Sequence, residues 1–158
     1  VFAVGEAIEV FGGNGYVEES VLARLYRDIP VNSIWEGSGN VQCLDVLRSM
    51  KKEPESIEAV LGELNAARGH NGIYDKFIAR LHDELGGEED IEFRARRVVE
   101  CTALALEAAC LLRSAPEFVS EAFCRSRLGG NYLGFGTLPR GSAANKIVDR
   151  AKSQNRER

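Results

Sequence analysis

Three stretches of this chain carry residue types whose spacing suits chemistry. The first is Phe11-Gly12-Gly13-Asn14-Gly15-Tyr16. Glycines let a backbone approach a ligand closely, and the amides of such a bend suit a phosphate; the same residues also simply stop a helix and turn the chain. No strand pattern precedes them, so this is not a strand-turn-helix dinucleotide fingerprint. The second is Ile34-Trp35-Glu36-Gly37-Ser38-Gly39-Asn40. A carboxylate between a tryptophan and a glycine turn is a candidate general base, because an apolar wall disfavours its charged form and raises its basicity. The Gly-Ser-Gly-Asn run offers amides and a hydroxyl to an anion or a polar ring edge, or alternatively caps a helix at Ser38 and leaves Glu36 a solvated loop acid. The third is basic: Arg94, Arg96 and Arg97, then Arg125, Arg127, Arg140, Lys146, Arg150, Lys152, Arg156 and Arg158. Such residues contact nucleic-acid phosphates or form a solvated helix face. Tyr132 and Phe135 lie nearby without the regular interleaving of a base-stacking platform.

The elements that must position these residues read as helices throughout. The spacing predicts a helix over about 2–11 with Val4, Ile8 and Phe11 on one face, ended by the glycine bend. A second runs from about Glu18 to Asp28 through Val21, Leu22, Leu25 and Tyr26, and Pro30 stops it. A third covers about 39–50 with Val41, Leu44 and Leu47 as its buried stripe. Lys51-Lys52-Glu53-Pro54 is the natural domain seam, and Pro54 suits the first turn of a helix reaching about Arg68. Asn71 can cap a helix that turns Tyr74, Phe77, Ile78, Leu81 and Leu85 inward before Gly86-Gly87. The longest helix is expected over about Asp90–Ser114, its seam running Ile91, Ala95, Val98, Thr102, Ala105, Ala109 and Leu112. Pro116 opens a helix through Val119, Phe123 and Leu128, closed by Gly129-Gly130, and a short one follows over about Ser142–Lys152. The chain is therefore all-α, with residues 1–50 and 51–158 as its two domains.

Composition excludes several classes. The 158 residues are 44% hydrophobic and 28% charged with 16 Gly and 4 Pro, which is ordinary globular usage rather than low complexity. No apolar run reaches the roughly 18 residues a membrane span needs. The net charge of −4 argues against a chain built wholly to coat nucleic acid. Yet residues 101–158 hold nine bases against five acids, while residues 1–50 hold seven acids against three bases. Cys43, Cys101, Cys110 and Cys124 form no CxxC pair and no zinc spacing, and His70 and His82 have no ligand pattern around them, so no metal site is expected. The cysteines read as reduced core thiols of a cytoplasmic protein. The opening Val1-Phe2-Ala3-Val4-Gly5-Glu6, without Met and inside an apolar-periodic run, reads as the C-terminal part of something longer.

Taken in order, Glu6 to Tyr16, Arg24-Leu25-Tyr26-Arg27-Asp28 and Ile34-Trp35-Glu36-Gly37-Ser38 resemble the C-terminal helical domain of acyl-CoA dehydrogenases. The fuller string from Arg27 to Asn40 is most similar to that family's alkylation-response branch, which adds a further helical domain, here about 51–158. The resemblance implies part of a four-helix bundle in a tetrameric FAD flavoprotein, the parent an oxidoreductase and this fragment alone inactive. It implies that Glu36 is the base that takes the α-proton of an acyl-CoA thioester while the flavin takes a β-hydride. It further implies that Phe11, Gly12 and Gly13 form the turn that meets the adenosine diphosphate end of FAD from a neighbouring subunit. Ser38 then matches a threonine that contacts the flavin, and Asn40 a polar position near it. Glu9 stands where many members carry a glutamine that helps to hold FAD. The alternative within this resemblance is a flavoprotein that binds double-stranded DNA through Arg125, Arg127, Arg140, Lys146 and Arg150. A third possibility is that residues 51–158 serve oligomer contacts alone.

Overall fold

The computed structural model describes residues 1–86, 90–130 and 135–153. It is all-α, with no strand among the described residues. The chain divides into two compact units, Val1–Asp45 and Val46–Arg158.

In the first unit, α1 spans Phe2–Phe11, α2 Gly13–Tyr16 and α3 Val21–Asp28, and a 3-10 turn covers Ile29–Ser33. These pack on one another in sequence order. The α3 helix starts at Val21 rather than Glu18. The Ser20 hydroxyl accepts the Leu22 amide at 3.2 Å and fixes the first turn there. Pro30 sits in the 3-10 turn that replaces α-helix after Asp28. The apolar stripes predicted for this unit are largely uncovered by its own residues. Ala23 is its one buried hydrophobic among the described residues, and Phe11 remains 63% exposed. The α4 helix, Gly39–Lys52, begins in the first unit and ends in the second. It buries none of its residues fully: Val41 and Leu44, expected inside, are exposed, and Leu47 is half-buried.

The second unit contains α5 (Pro54–Ala66), α6 (Gly72–Gly86), α7 (Ala95–Ser114), α8 (Glu117–Phe123), a π-helical turn (Cys124–Leu128) and α9 (Ala144–Ser153). Pro54 occupies the first turn of α5, where its missing N–H costs nothing. Asn71 caps α6 as expected, its side-chain oxygen accepting the Ile73 and Tyr74 amides at 2.9 and 3.2 Å. Its Nδ2 also donates to Glu121 Oε2 on α8 at 3.1 Å. The core brings Leu64 of α5, Tyr74, Ile78 and Leu81 of α6, and Cys124 and Leu128 of the π turn onto Ala105, Ala108 and Ala109 of α7. The small alanine side chains allow α5, α6 and α8 to close on one helix. The Tyr74 hydroxyl donates to the Leu64 carbonyl at 2.8 Å, and burial pushes the phenol up to about 12.

Four expectations for this unit need correcting. The α7 helix begins at Ala95, not Asp90. Asp90 has φ +56° and its carbonyl accepts the Arg94 amide in a turn, while the Arg94 guanidinium donates to the Glu84 carbonyl at 2.9 Å. The helix opened by Pro116 widens at Cys124, where the Gly129 amide reaches back five residues to the Cys124 carbonyl. The last helix starts at Ala144. All four cysteines are free, but Cys124 alone is buried, its thiol pushed up to about 11 by that burial; Cys110 is exposed. Tyr132, Arg156 and Arg158 lie outside the described residues.

Candidate functional site

The glycine bend assigns a separate task to each glycine. Gly12 has φ +58°, which ends α1 and turns the chain; its amide donates to the Glu9 carbonyl at 3.1 Å and its carbonyl accepts the Gly15 amide at 2.9 Å. The Gly12 N–H is thus used within the bend, and Gly13 opens α2. A Cβ on either Gly12 or Gly13 would meet nothing within 4 Å, so this face of the backbone is open to a close-lying group. Gly15 is different: a Cβ there would lie 2.9 Å from the Ile8 carbonyl oxygen and 3.0 Å from the Ile8 Cα. The clash is with backbone, which cannot swing aside. Gly15→Ala is expected to lower stability by about 1–3 kcal/mol, read by thermal unfolding.

Beside the bend lies a groove of about 800 Å³, walled by Ile8, Tyr16, Ala23 and Tyr26 and rimmed by Glu9, Glu18, Glu19 and Arg27. Arg27 is clamped two-pronged on Glu18 at 2.8 Å, and this bridge holds the Glu18 carboxyl below its ordinary value. With its one cation spent and three carboxylates around it, the groove repels a diphosphate. The open Gly12–Gly13 backbone carries no acid side chain of its own.

The Trp-Glu segment follows the 3-10 turn. The Ile34 and Trp35 amides both donate to the Val31 carbonyl at 3.0 Å, and the Gly37 amide donates to Ile34 at 3.1 Å. Gly37 has φ +113°, a conformation that disfavours any side chain. The Gln42 side chain of α4 then donates to the Glu36 carbonyl, tying the loop to the helix that follows. Gln42 was invisible to sequence reasoning, because a side-chain bond six residues back across a glycine turn leaves no periodic signal. The Ser38 carbonyl accepts the Gln42 amide at 3.0 Å, so Ser38 enters the helix start, and Asn40 stands exposed in the first turn of α4. Glu36 points its carboxylate from an exposed position, and Trp35 beside it is 66% exposed. The apolar wall expected from Trp35 is therefore not assembled by the described residues of this chain. Glu36 does not line the acid-rimmed groove.

The basic residues of the second unit are partly gathered. Arg125 Nη2 donates to the Arg140 carbonyl at 2.9 Å, joining two of them across 15 residues, and Arg125 Nε lies 3.9 Å from Glu121. Arg127 sits over the Phe135 ring at 5.6 Å and Lys146 over Phe118 at 6.0 Å, while Arg150 lies on α9. Arg94 and Arg97 are elsewhere, both paired with Glu84 at 3.1 and 2.8 Å. No group of three or more metal-ligating side chains occurs among the described residues. Nor is any helix there long and apolar enough to cross a membrane.

The all-α segment that carries the glycine bend and the Trp-Glu-Gly turn matches the C-terminal helical domain of a known enzyme family. Residues 1–51 belong to the acyl-CoA dehydrogenase family, as its C-terminal domain. The chain is similar to the putative acyl-CoA dehydrogenase AidB of Escherichia coli, at 39% identity over 79% of this chain and 23% of that protein. It is also similar to acyl-CoA dehydrogenase family member 11 of Caenorhabditis elegans, at 30% identity over 72% of this chain and 22% of that protein. Residues of a cyclohexane-1-carbonyl-CoA dehydrogenase of Geobacter metallireducens are 40% identical over 30% of this chain and 13% of that protein. The chain thus spans under a quarter of the length of the curated relatives it matches.

Proposed function

We propose that this chain is the C-terminal part of a cytoplasmic, tetrameric, FAD-dependent acyl-CoA dehydrogenase, with Glu36 as its catalytic base. The observation that carries the reading is the Glu36 turn: its backbone is held by Gly37, Val31 and Gln42 while its carboxylate stays exposed. A base must be fixed in place yet able to reach the carbon-bound proton. FAD, when bound, accepts the hydride that leaves the β-carbon. Glu36 takes the α-proton of the acyl thioester onto its carboxylate, and the freed electron pair forms the α–β double bond. Ser38 and Asn40, at the head of α4, orient the flavin, and Phe11 with the open Gly12–Gly13 backbone receives the diphosphate end from a neighbouring subunit. The exposed Phe11, Ile34 and Trp35 are surfaces for elements outside these residues, which complete the apolar wall around Glu36. Residues 1–50 act as the flavin-contacting bundle and 51–158 as an added helical domain. Taken alone, the chain is therefore expected to be inactive and to bind FAD weakly.

The test is the visible spectrum of the full-length protein. It should show bound flavin, bleached by a straight-chain or branched acyl-CoA. A protein that is colourless and takes up no added FAD would overturn the reading.

A second reading rests on the Arg125 guanidinium bond to the Arg140 backbone carbonyl, which ties together two segments that each carry a cation, in the half of the sequence richest in base. On this reading the second unit holds double-stranded DNA by its phosphates. Replacing Arg125, Arg127 and Arg140 together should then lower affinity for all duplex sequences alike. The slope of log affinity against log salt should flatten by about three. Binding that keeps its slope in the triple variant would remove this surface from consideration.

A further inference from the structure

We propose that the cleft between α6 and α7 is a binding site for a small organic monocarboxylate, with Arg80 as the residue that recognises it. The cleft has a volume of about 420 Å³, within the range of small-molecule sites, and lies wholly in the second unit. Phe77, Leu81 and Cys101 supply an apolar wall, and three guanidiniums, Arg80, Arg94 and Arg97, face it.

The cleft already holds one carboxylate. Glu84 Oε2 lies 3.1 Å from Arg94 and Oε1 2.8 Å from Arg97, so two guanidiniums from the start of α7 converge on a planar oxyanion. These contacts draw the Glu84 carboxyl below its ordinary value. Arg80 is held differently. Its Nη2 donates to the Leu128 carbonyl at 3.3 Å and its guanidinium lies over the Phe77 ring, 5.5 Å from the centroid. No carboxylate among the described residues pairs with it. It is a cation fixed by a carbonyl and a ring, with further N–H groups available to the cleft.

Against these three cations the described lining sets two carboxylates, Asp83 and Glu84. Arg80 alone, held by a carbonyl and a ring rather than by a carboxylate among the described residues, suits one anionic head rather than a nucleotide or other polyanion. A planar carboxylate matches the guanidinium fork, and an attached ring or short alkyl chain covers the partly buried Phe77 and Cys101. This assignment is independent of the flavin chemistry proposed above.

Cys101 reports occupancy. It lines the cleft and is partly buried, whereas Cys110 on the same helix is exposed and lies outside it. The full chain would be alkylated with N-ethylmaleimide and the two thiols followed by mass spectrometry. Benzoate at about 10 mM, well above a millimolar affinity, should slow Cys101 at least threefold relative to Cys110. Benzamide, its neutral counterpart, should not. Arg80→Gln should raise the half-protecting concentration about tenfold, the loss of one charge-assisted hydrogen bond, while Arg80→Lys should recover part of it. Titration of carboxyl-labelled [13C]benzoate against the unsubstituted chain gives a second readout that needs no variant. Its signal should broaden with the protein and recover on adding an excess of unlabelled hexanoate. Equal protection by benzamide, equal or stronger protection by inorganic phosphate or duplex DNA, or no protection at all would each overturn the assignment.

Discussion

Glu36→Gln in the flavin-loaded full-length protein should slow bleaching by acyl-CoA by about 10²–10⁴-fold, the usual contribution of a positioned general base. Glutamine keeps the shape of the side chain and the backbone contacts to Gln42 and Val31, so flavin content should not change. What is lost is the carboxylate proposed to take the α-proton. Gln42→Ala, which frees the turn but leaves the carboxylate, should give a smaller loss, since Gln42 acts through Glu36 and touches no reacting atom. Stopped-flow absorbance at the flavin band measures both. Unchanged bleaching in Glu36→Gln would mean that a base elsewhere does the work, whatever the outcome at Gln42.

Ile78→Ala should have the largest effect on stability. Ile78 is fully buried in the core that α6 shares with Ala105, Ala108 and Ala109 of α7, and alanines have no atoms to spare to refill the space. The expected loss is about 2–5 kcal/mol, from the removed apolar atoms and the cavity left behind. It should appear as a lower denaturant midpoint of the helical circular dichroism signal with little change in slope. Val148→Ala is the control. Val148 is 50% exposed on α9, and its loss should stay within about 0.5 kcal/mol. A midpoint that moves equally for both would mean that the core lies elsewhere.

Helices whose signals are local were legible from sequence. Pro54 opens α5, Asn71 caps α6, and Tyr74, Ile78 and Leu81 face inward at the spacing that one turn dictates. The class of the domain was legible too, because the glycine bend and the Trp-Glu turn are short, contiguous strings. Four features were not. Periodicity in Val41 and Leu44 marks an apolar face but does not tell which atoms cover it, and here the described residues leave both exposed. The start of α7 depends on the Arg94 guanidinium reaching Glu84, a contact made in space between residues ten apart. The three glycines of the bend look alike in sequence, yet one sets φ, one leaves an open face and one packs on Ile8. Arg80 attracts no attention in a run of charged helix residues until Phe77 and the Leu128 carbonyl are seen to hold it.

The wide turn at Cys124–Leu128 has a consequence for how this helix tolerates length change. A π turn is one residue more than an α-helix needs, and each residue rotates the helix face by about 100°. Leu128 stays only 3% exposed because the wide turn absorbs that surplus and keeps it on the same core-facing side as Cys124. Deleting Ser126 would leave a regular α-helix with Leu128 three residues after Cys124, still on one face with it. The slack is stored in the turn, so this segment is expected to tolerate the loss of a single position far better than the gain of one.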